Sequence, residues 1–140
     1  MKIRKGFTLI ELLVVVSLIG ILATLVIANM NSARERARDA QRKSDLRNIQ
    51  TALRLYYNDE GNYPLKAVVD AVWGTTWTGT GGSVYMNLLP IDPLSPAQDY
   101  VYTYIDFDNY ILKACLENKS DDKGVVDGTC PSGYKYEVKP

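Results

Sequence analysis

Residues 5–30 read KGFTLIELLVVVSLIGILATLVIANM, and between Phe7 and Ala28 the only ionisable side chain is Glu11. As a helix those 22 residues would extend about 33 Å at ~1.5 Å per residue. That length matches a bilayer hydrocarbon core of roughly 30 Å. An unpaired carboxylate at that depth costs at least ~2.5 kcal/mol, so Glu11 calls for a partner or a function. Everything else in the chain is read outward from this stretch.

The chain has 140 residues, a formal net charge of zero and no histidine. One membrane segment and one small domain fill that length. The missing imidazole excludes His-based triads and His metal sites. The leader MKIRKG carries Lys2, Arg4 and Lys5, so its removal would leave a chain about three charges negative. No strong basic surplus marks a nucleic-acid protein, and none is expected as a partner.

No proline interrupts residues 7 to 63, so the apolar segment is expected to continue into the polar stretch NSARERARDAQRKSDLRNIQTALRLYYNDEG as one rod. From Phe7 to Tyr57 such a rod would be ~75 Å long. Ala33, Ala37 and Ala40, and then Ile49, Leu53 and Tyr56, recur at spacings of three and four and predict one apolar stripe. Gly61 and Pro64 supply the stop signal. The basic cluster from Arg34 to Arg47 holds six Lys or Arg against three Asp or Glu. Its mixed signs fit a solvated face or salt bridges between packed helices better than a lipid or nucleic-acid surface.

Residues 61–99 read as a connecting region with one helical turn near Ala67 to Val72, rich in Gly, Thr and Pro. Trp73 and Trp77 there could form a ligand platform, although packing onto a sheet is the commoner role of such side chains. From residue 100 onward, Tyr100, Tyr102 and Tyr104 alternate with Val101, Thr103 and Ile105, as a strand does. A turn over Asp106 to Asn109 and further strands at Tyr110 to Leu116 and Tyr134 to Val138 complete a small antiparallel sheet. The predicted class is α+β, a long N-terminal helix carrying three or four antiparallel strands that cover its second half.

Cys115 and Cys130 enclose fourteen residues. They could be a disulfide, two free thiols or half of a metal site, and export of the domain would favour the disulfide. Asp106, Asp108 and Glu117 match three EF-hand positions, but Ile111 stands where glycine is needed and the site is rejected. Asp121, Asp122 and Asp127 could form a calcium loop or a solvated Asp/Gly turn. No metal site and no cofactor are assigned. With no phosphate loop and no nucleophile beside a base, catalysis has no candidate and an enzyme is not expected.

The stretch KGFTLIELLVVVSLIGILA, residues 5–23, resembles the N-terminus of type IV pilins and the pseudopilins of bacterial type II secretion and competence systems. The segment NLLPIDP, residues 87–93, is similar to one that precedes the sheet in major pseudopilins. One departure is Ala28, where many family members carry proline. The resemblance implies a pilin-like fold with a leader 1–6, a transmembrane and assembly half 7–28, and an exported domain 29–140 made of helix to about 60, loop 61–99 and sheet 100–140. It implies cleavage between Gly6 and Phe7 by a prepilin peptidase, N-methylation of Phe7, and pairing of Glu11 with the N-terminal amine of a neighbouring subunit. Implied partners are further subunits in a homopolymer, the membrane, and inner-membrane assembly machinery with a motor ATPase. The implied location is a single-pass inner membrane state with the C-terminal domain outside the cytoplasm, then an extracellular or periplasmic filament. A signal-anchored binding domain that never polymerises is the alternative; it accounts for the helix but not for Gly6, Phe7 or Glu11.

Overall fold

The computed structural model describes residues 6–140, and the side chains of Ala28 and Asn29 are outside the description. Five of the six leader residues therefore lie outside the described residues. The chain divides into two compact units, one up to Arg34 and one from Glu35 to Pro140.

Helix α1 spans Leu9–Glu60 without a break. In the first unit its side chains face outward on all sides: Leu9, Leu12, Val16, Ile19, Leu22 and Val26 are each about half exposed or more. In the second unit one face is sealed, with Leu46, Ile49 and Leu53 fully buried. The helix ends where Gly61 takes a φ of 74° and its amide donates to the Tyr57 carbonyl at 2.8 Å. A left-handed residue at that position closes the last turn, and glycine adopts it without a Cβ penalty.

The predicted stripe holds only in part. Ile49 and Leu53 are buried and Tyr56 is half-buried, but Ala33, Ala37 and Ala40 are exposed. The inward face at that level is instead Asp39 and Arg42, both buried. Counting alanine as apolar misplaced the face: Ala40 and Ile49 are nine residues apart, about 180° round the helix, whereas Asp39 and Arg42 share the face of Leu46.

After α1 the chain forms the short helix α2 (Lys66–Asp70) and a hairpin of β1 (Trp77–Thr78) and β2 (Val84–Met86). The region expected to be loop is therefore partly regular. Strands β3 (Val101–Asp106), β4 (Asn109–Cys115), β5 (Val125–Val126) and β6 (Tyr134–Val138) form a second, antiparallel sheet in the order β3-β4-β6-β5. Tyr102 stands opposite Leu112, and Leu112 opposite Val138. All three are buried and, with Tyr100, Tyr110 and Ala114, make the face that joins Leu46, Ile49 and Leu53 in one core. Period-two alternation puts Val101, Thr103 and Ile105 on the outer face, where they are exposed.

Aromatic rings supply much of the packing. Tyr110 lies between Tyr63 and Tyr102, with ring centroids 4.6 and 5.6 Å away. Trp77 is buried against Tyr56 and Tyr85, each at 5.5 Å, so it serves the core. Gly79 is the residue that lets Tyr85 reach this cluster: a Cβ there would sit 2.5 Å from the tyrosine hydroxyl oxygen. Gly79→Ala should displace a ring held on two sides and destabilise the domain by ~1–3 kcal/mol, read as a lowered urea midpoint at unchanged slope.

Candidate functional site

Two places concentrate polar chemistry: the start of α1 and the base of the folded domain. At the first, Gly6, Phe7 and Thr8 precede the helix, and Phe7 is 86% exposed. The Thr8 amide and hydroxyl both donate to Glu11 Oε2 at 2.8 Å, while the Glu11 amide donates to Thr8 Oγ1 at 3.3 Å. This reciprocal arrangement is a capping box, with threonine at the N-cap and glutamate three residues on. It satisfies amides that the first turn cannot bond internally and sets a negative charge at the positive end of the helix dipole.

Downstream of the cap nothing else is charged before Arg34. Within the apolar run, Ser17 donates to the Val14 carbonyl at 2.8 Å and Thr24 to that of Ile21 at 2.7 Å. Leu9, Leu12, Leu13, Val16 and Ser17 line a shallow apolar groove. By length and composition α1 can cross a membrane, with a mean hydropathy of 2.8 over its most apolar window. Such a surface fits either lipid or the equivalent helix of another subunit.

The second place is built around Arg42, which has no exposed surface. Its guanidinium donates to Asp92 at 2.8 and 3.0 Å, to Asp39 at 2.8 Å and to Glu117 at 2.6 Å. Asp39 also accepts from the Glu117 and Asn118 amides at 2.8–3.1 Å. Arg38 forks onto both oxygens of Glu117, and Lys43 pairs with Asp121. Two segments distant in sequence, at Asp92 and at residues 117–121, are thereby bonded to one stretch of helix. Burial opposes the charge on Arg42, but the bonds from Asp92, Glu117 and Asp39 outweigh it and hold the guanidinium above its ordinary range. Arg38 in turn draws the Glu117 carboxyl below its usual value, with Arg42 adding to the effect against burial.

Cys115 and Cys130 are bonded, with Cα atoms 5.3 Å apart. Of the acidic residues between them, Asp127 accepts from the Thr129 amide and hydroxyl at 2.9 and 2.7 Å and faces Lys113 and Lys135 at 3.2 and 3.4 Å. Asp121 is taken up by Lys43, and Asp122 is exposed. Among the described residues no group of three or more His, Cys, Asp or Glu is placed to hold a metal. Asp106 and Asp108 sit at the β3–β4 turn, where Asp106 accepts from the Asp108 amide; Glu117 belongs to the Arg42 network instead.

Sequence reading placed Gly6, Phe7 and Glu11 at a helix start but missed Thr8 as their capping partner, although the spacing Thr-x-x-Glu was visible. It also missed Arg42 and Asp92. The mixed signs of residues 34–47 and the segment NLLPIDP were the available traces.

Comparison with known proteins bears on the first place. Residues 1–27 match the family model of the prokaryotic N-terminal methylation motif. The chain is 36% identical over 122 residues to the type II secretion system core protein G of Pseudomonas aeruginosa, covering 79% of this chain and 84% of that protein. It is 34% identical over 107 residues to the protein of the same name from Escherichia coli K12, covering 70% of each. Over 60 residues it is 37% identical to the type IV major pilin protein PilA of Myxococcus xanthus, covering 43% of this chain and 27% of that one. No solved structure matches the chain significantly.

Glu117, Asp121 and Glu137 all have carboxyls held below their ordinary values in the folded state. Their contribution is complete above the unfolded carboxylate range, near pH ~4, and is lost as pH falls through the lower folded values. Urea midpoints should therefore be flat from pH 7 to 5 and decline below about 4, with the decline reduced in Glu117→Gln relative to its own value at pH 7.

Proposed function

Because the chain belongs to the type II secretion system core protein G family, we propose that it is a subunit of a secretion pseudopilus, inserted in a membrane as a precursor and then polymerised through its N-terminal helix. It is a structural filament subunit and not an enzyme. The extent of the match favours the secretion filament over a pilus, since the pilin relative shares only 43% of this chain.

The observation that carries the assembly reading is a lone, capped carboxylate in a stretch of helix otherwise uncharged up to Arg34. Cleavage between Gly6 and Phe7 creates an amine beside Glu11. Methylation of Phe7 keeps that amine basic. In a low-dielectric helix bundle the two charges attract strongly, and each is costly alone. The pairing of one subunit's Glu11 with a neighbour's amine gives the apolar helices a register that hydrophobic packing alone does not define.

The remaining partners follow from this scheme. A prepilin peptidase removes residues 1–6. The inner membrane holds α1 through residues 7–28 with the domain from residue 29 outside the cytoplasm, where the Cys115–Cys130 bond is stable. A motor ATPase in the assembly machinery supplies the work of extracting the helix from lipid.

The test is the intact mass of the protein from membranes with and without active prepilin peptidase. A peptidase-dependent product beginning at methylated Phe7 supports the scheme; a retained leader, or cleavage beyond the apolar run, ends it. Glu11→Ala should insert and be processed normally, yet lower filament yield by about a hundredfold to a few thousandfold, the scale of removing one member of a buried pair at ~3–5 kcal/mol. Sheared filaments quantified against membrane pools report it.

A further inference from the structure

A cleft of about 330 Å³ opens beside α2 and the chain leading into β3, lined in part by Asp70, Trp73, Asp92, Asp99 and Tyr100. Its volume is at the bottom of the roughly 300–1,000 Å³ range of ligand pockets, suited to one long side chain. One wall is aromatic, with Trp73 and Tyr100 rings 6.1 Å apart. The rest is acidic. Asp92 is committed to Arg42 and Asp70 to Lys66, but the exposed Asp99 has no cation or donor among the described residues. Behind the wall, Asp45 accepts from the Tyr100 hydroxyl at 2.8 Å and has no cation either. Burial pushes the Asp45 carboxyl and the Tyr100 hydroxyl up; bonds from Tyr100 and Gln41 work against the shift at Asp45, and Asp45 adds to it at Tyr100, where Arg42 opposes it. A carboxylate rim over an indole face is the chemistry that takes a guanidinium, by ion pairing and by cation–π contact.

The same domain carries unmatched guanidinium groups. Arg36, Arg47 and Arg54 are exposed and make no ion pair among the described residues; Arg47 reaches only the Tyr136 hydroxyl, at 3.4 Å. At about 100° per residue these three lie within about 20° of one another on α1, as one basic line. Asp45, which marks the cleft side, is about 160–180° round the helix from that line. The buried Leu46, Ile49 and Leu53 lie between the two flanks. The domain thus presents an acidic socket on one flank and a row of arginines on the other, an arrangement it cannot satisfy within itself. Two different complementary patches on opposite flanks make a head-to-tail contact, the kind that propagates a filament where a two-fold contact closes a dimer.

We propose that the Asp99–Trp73 cleft of one subunit receives an arginine from the Arg36–Arg47–Arg54 line of the next, as a second interface besides the apolar helix. This rests on the filament reading. The contact sets which flank of an incoming subunit faces the growing end.

The test uses the full-length chain expressed with its peptidase and assembly machinery, reading sheared filament yield against membrane-pool level and the oxidised state of Cys115–Cys130. Asp99→Arg places like charges together and should lower the yield on the order of tenfold or more, with pool and disulfide unchanged, while Asp99→Asn should lower it less. Combining Asp99→Arg with Arg36→Asp, Arg47→Asp or Arg54→Asp should restore filaments in one of the three pairs, which identifies the partner. An Asp99→Arg yield equal to that of the unaltered chain overturns the contact and leaves the filament reading standing. So does a loss that none of the three reversals relieves. If the processed, unaltered chain forms no filaments, the filament reading fails and the contact with it.

Discussion

The folded domain depends on the burial of Arg42 with Asp39, Asp92 and Glu117. A guanidinium with no exposed surface is tolerable only when its donors are met, and here they meet carboxylates from the helix itself, from the segment before β3 and from the chain just after β4. Replacing any one member would strand charges in a dry place. The hydrophobic core begins immediately beyond, at Leu46 and Ile49, and runs to Leu53 along the same face. The network therefore fixes the register in which the sheet and loops lie on the helix, and apolar packing supplies the bulk of the stabilisation.

A single helix here serves two environments. Through residues 12–27 its side chains are apolar apart from the Ser17 and Thr24 hydroxyls, and are uncovered, which suits lipid and the helices of other subunits. From Arg38 onward charged residues alternate with buried leucine and isoleucine, which suits water on one side and a sheet on the other. The change of solvent is written in composition, with no break in backbone hydrogen bonding between Leu9 and Glu60.

Much of this was legible in the chain. The apolar run, the stop at Gly61, and the alternation of Tyr100, Tyr102 and Tyr104 each express a periodicity that one local element imposes. The errors arise where burial depends on a partner distant in sequence. Ala37 and Ala40 are a different error: they lie about 120–180° round the helix from Leu46 and Ile49, and so face outward. Arg42 reads as a surface cation until Asp92 and Glu117 are brought alongside by the loop and β4. The β1–β2 hairpin escaped because its strands are two and three residues long, too short for alternation to show; its aromatic packing on Tyr56 is a tertiary fact. Glu11 was legible for the opposite reason: its oddity is judged against immediate neighbours.

The capping box at Thr8 bears on what leader removal does to the molecule. The bond proposed to be cut, between Gly6 and Phe7, lies upstream of the N-cap, in chain that takes no part in helical hydrogen bonding. Thr8 and Glu11 hold the first turn with groups that survive the cut. On the proposed processing α1 need not unwind, because the cap lies downstream of the cut. The change is then electrical: the three cationic side chains of the leader and its amine would leave, a new amine would appear at Phe7, and the Thr8–Glu11 bonds would remain.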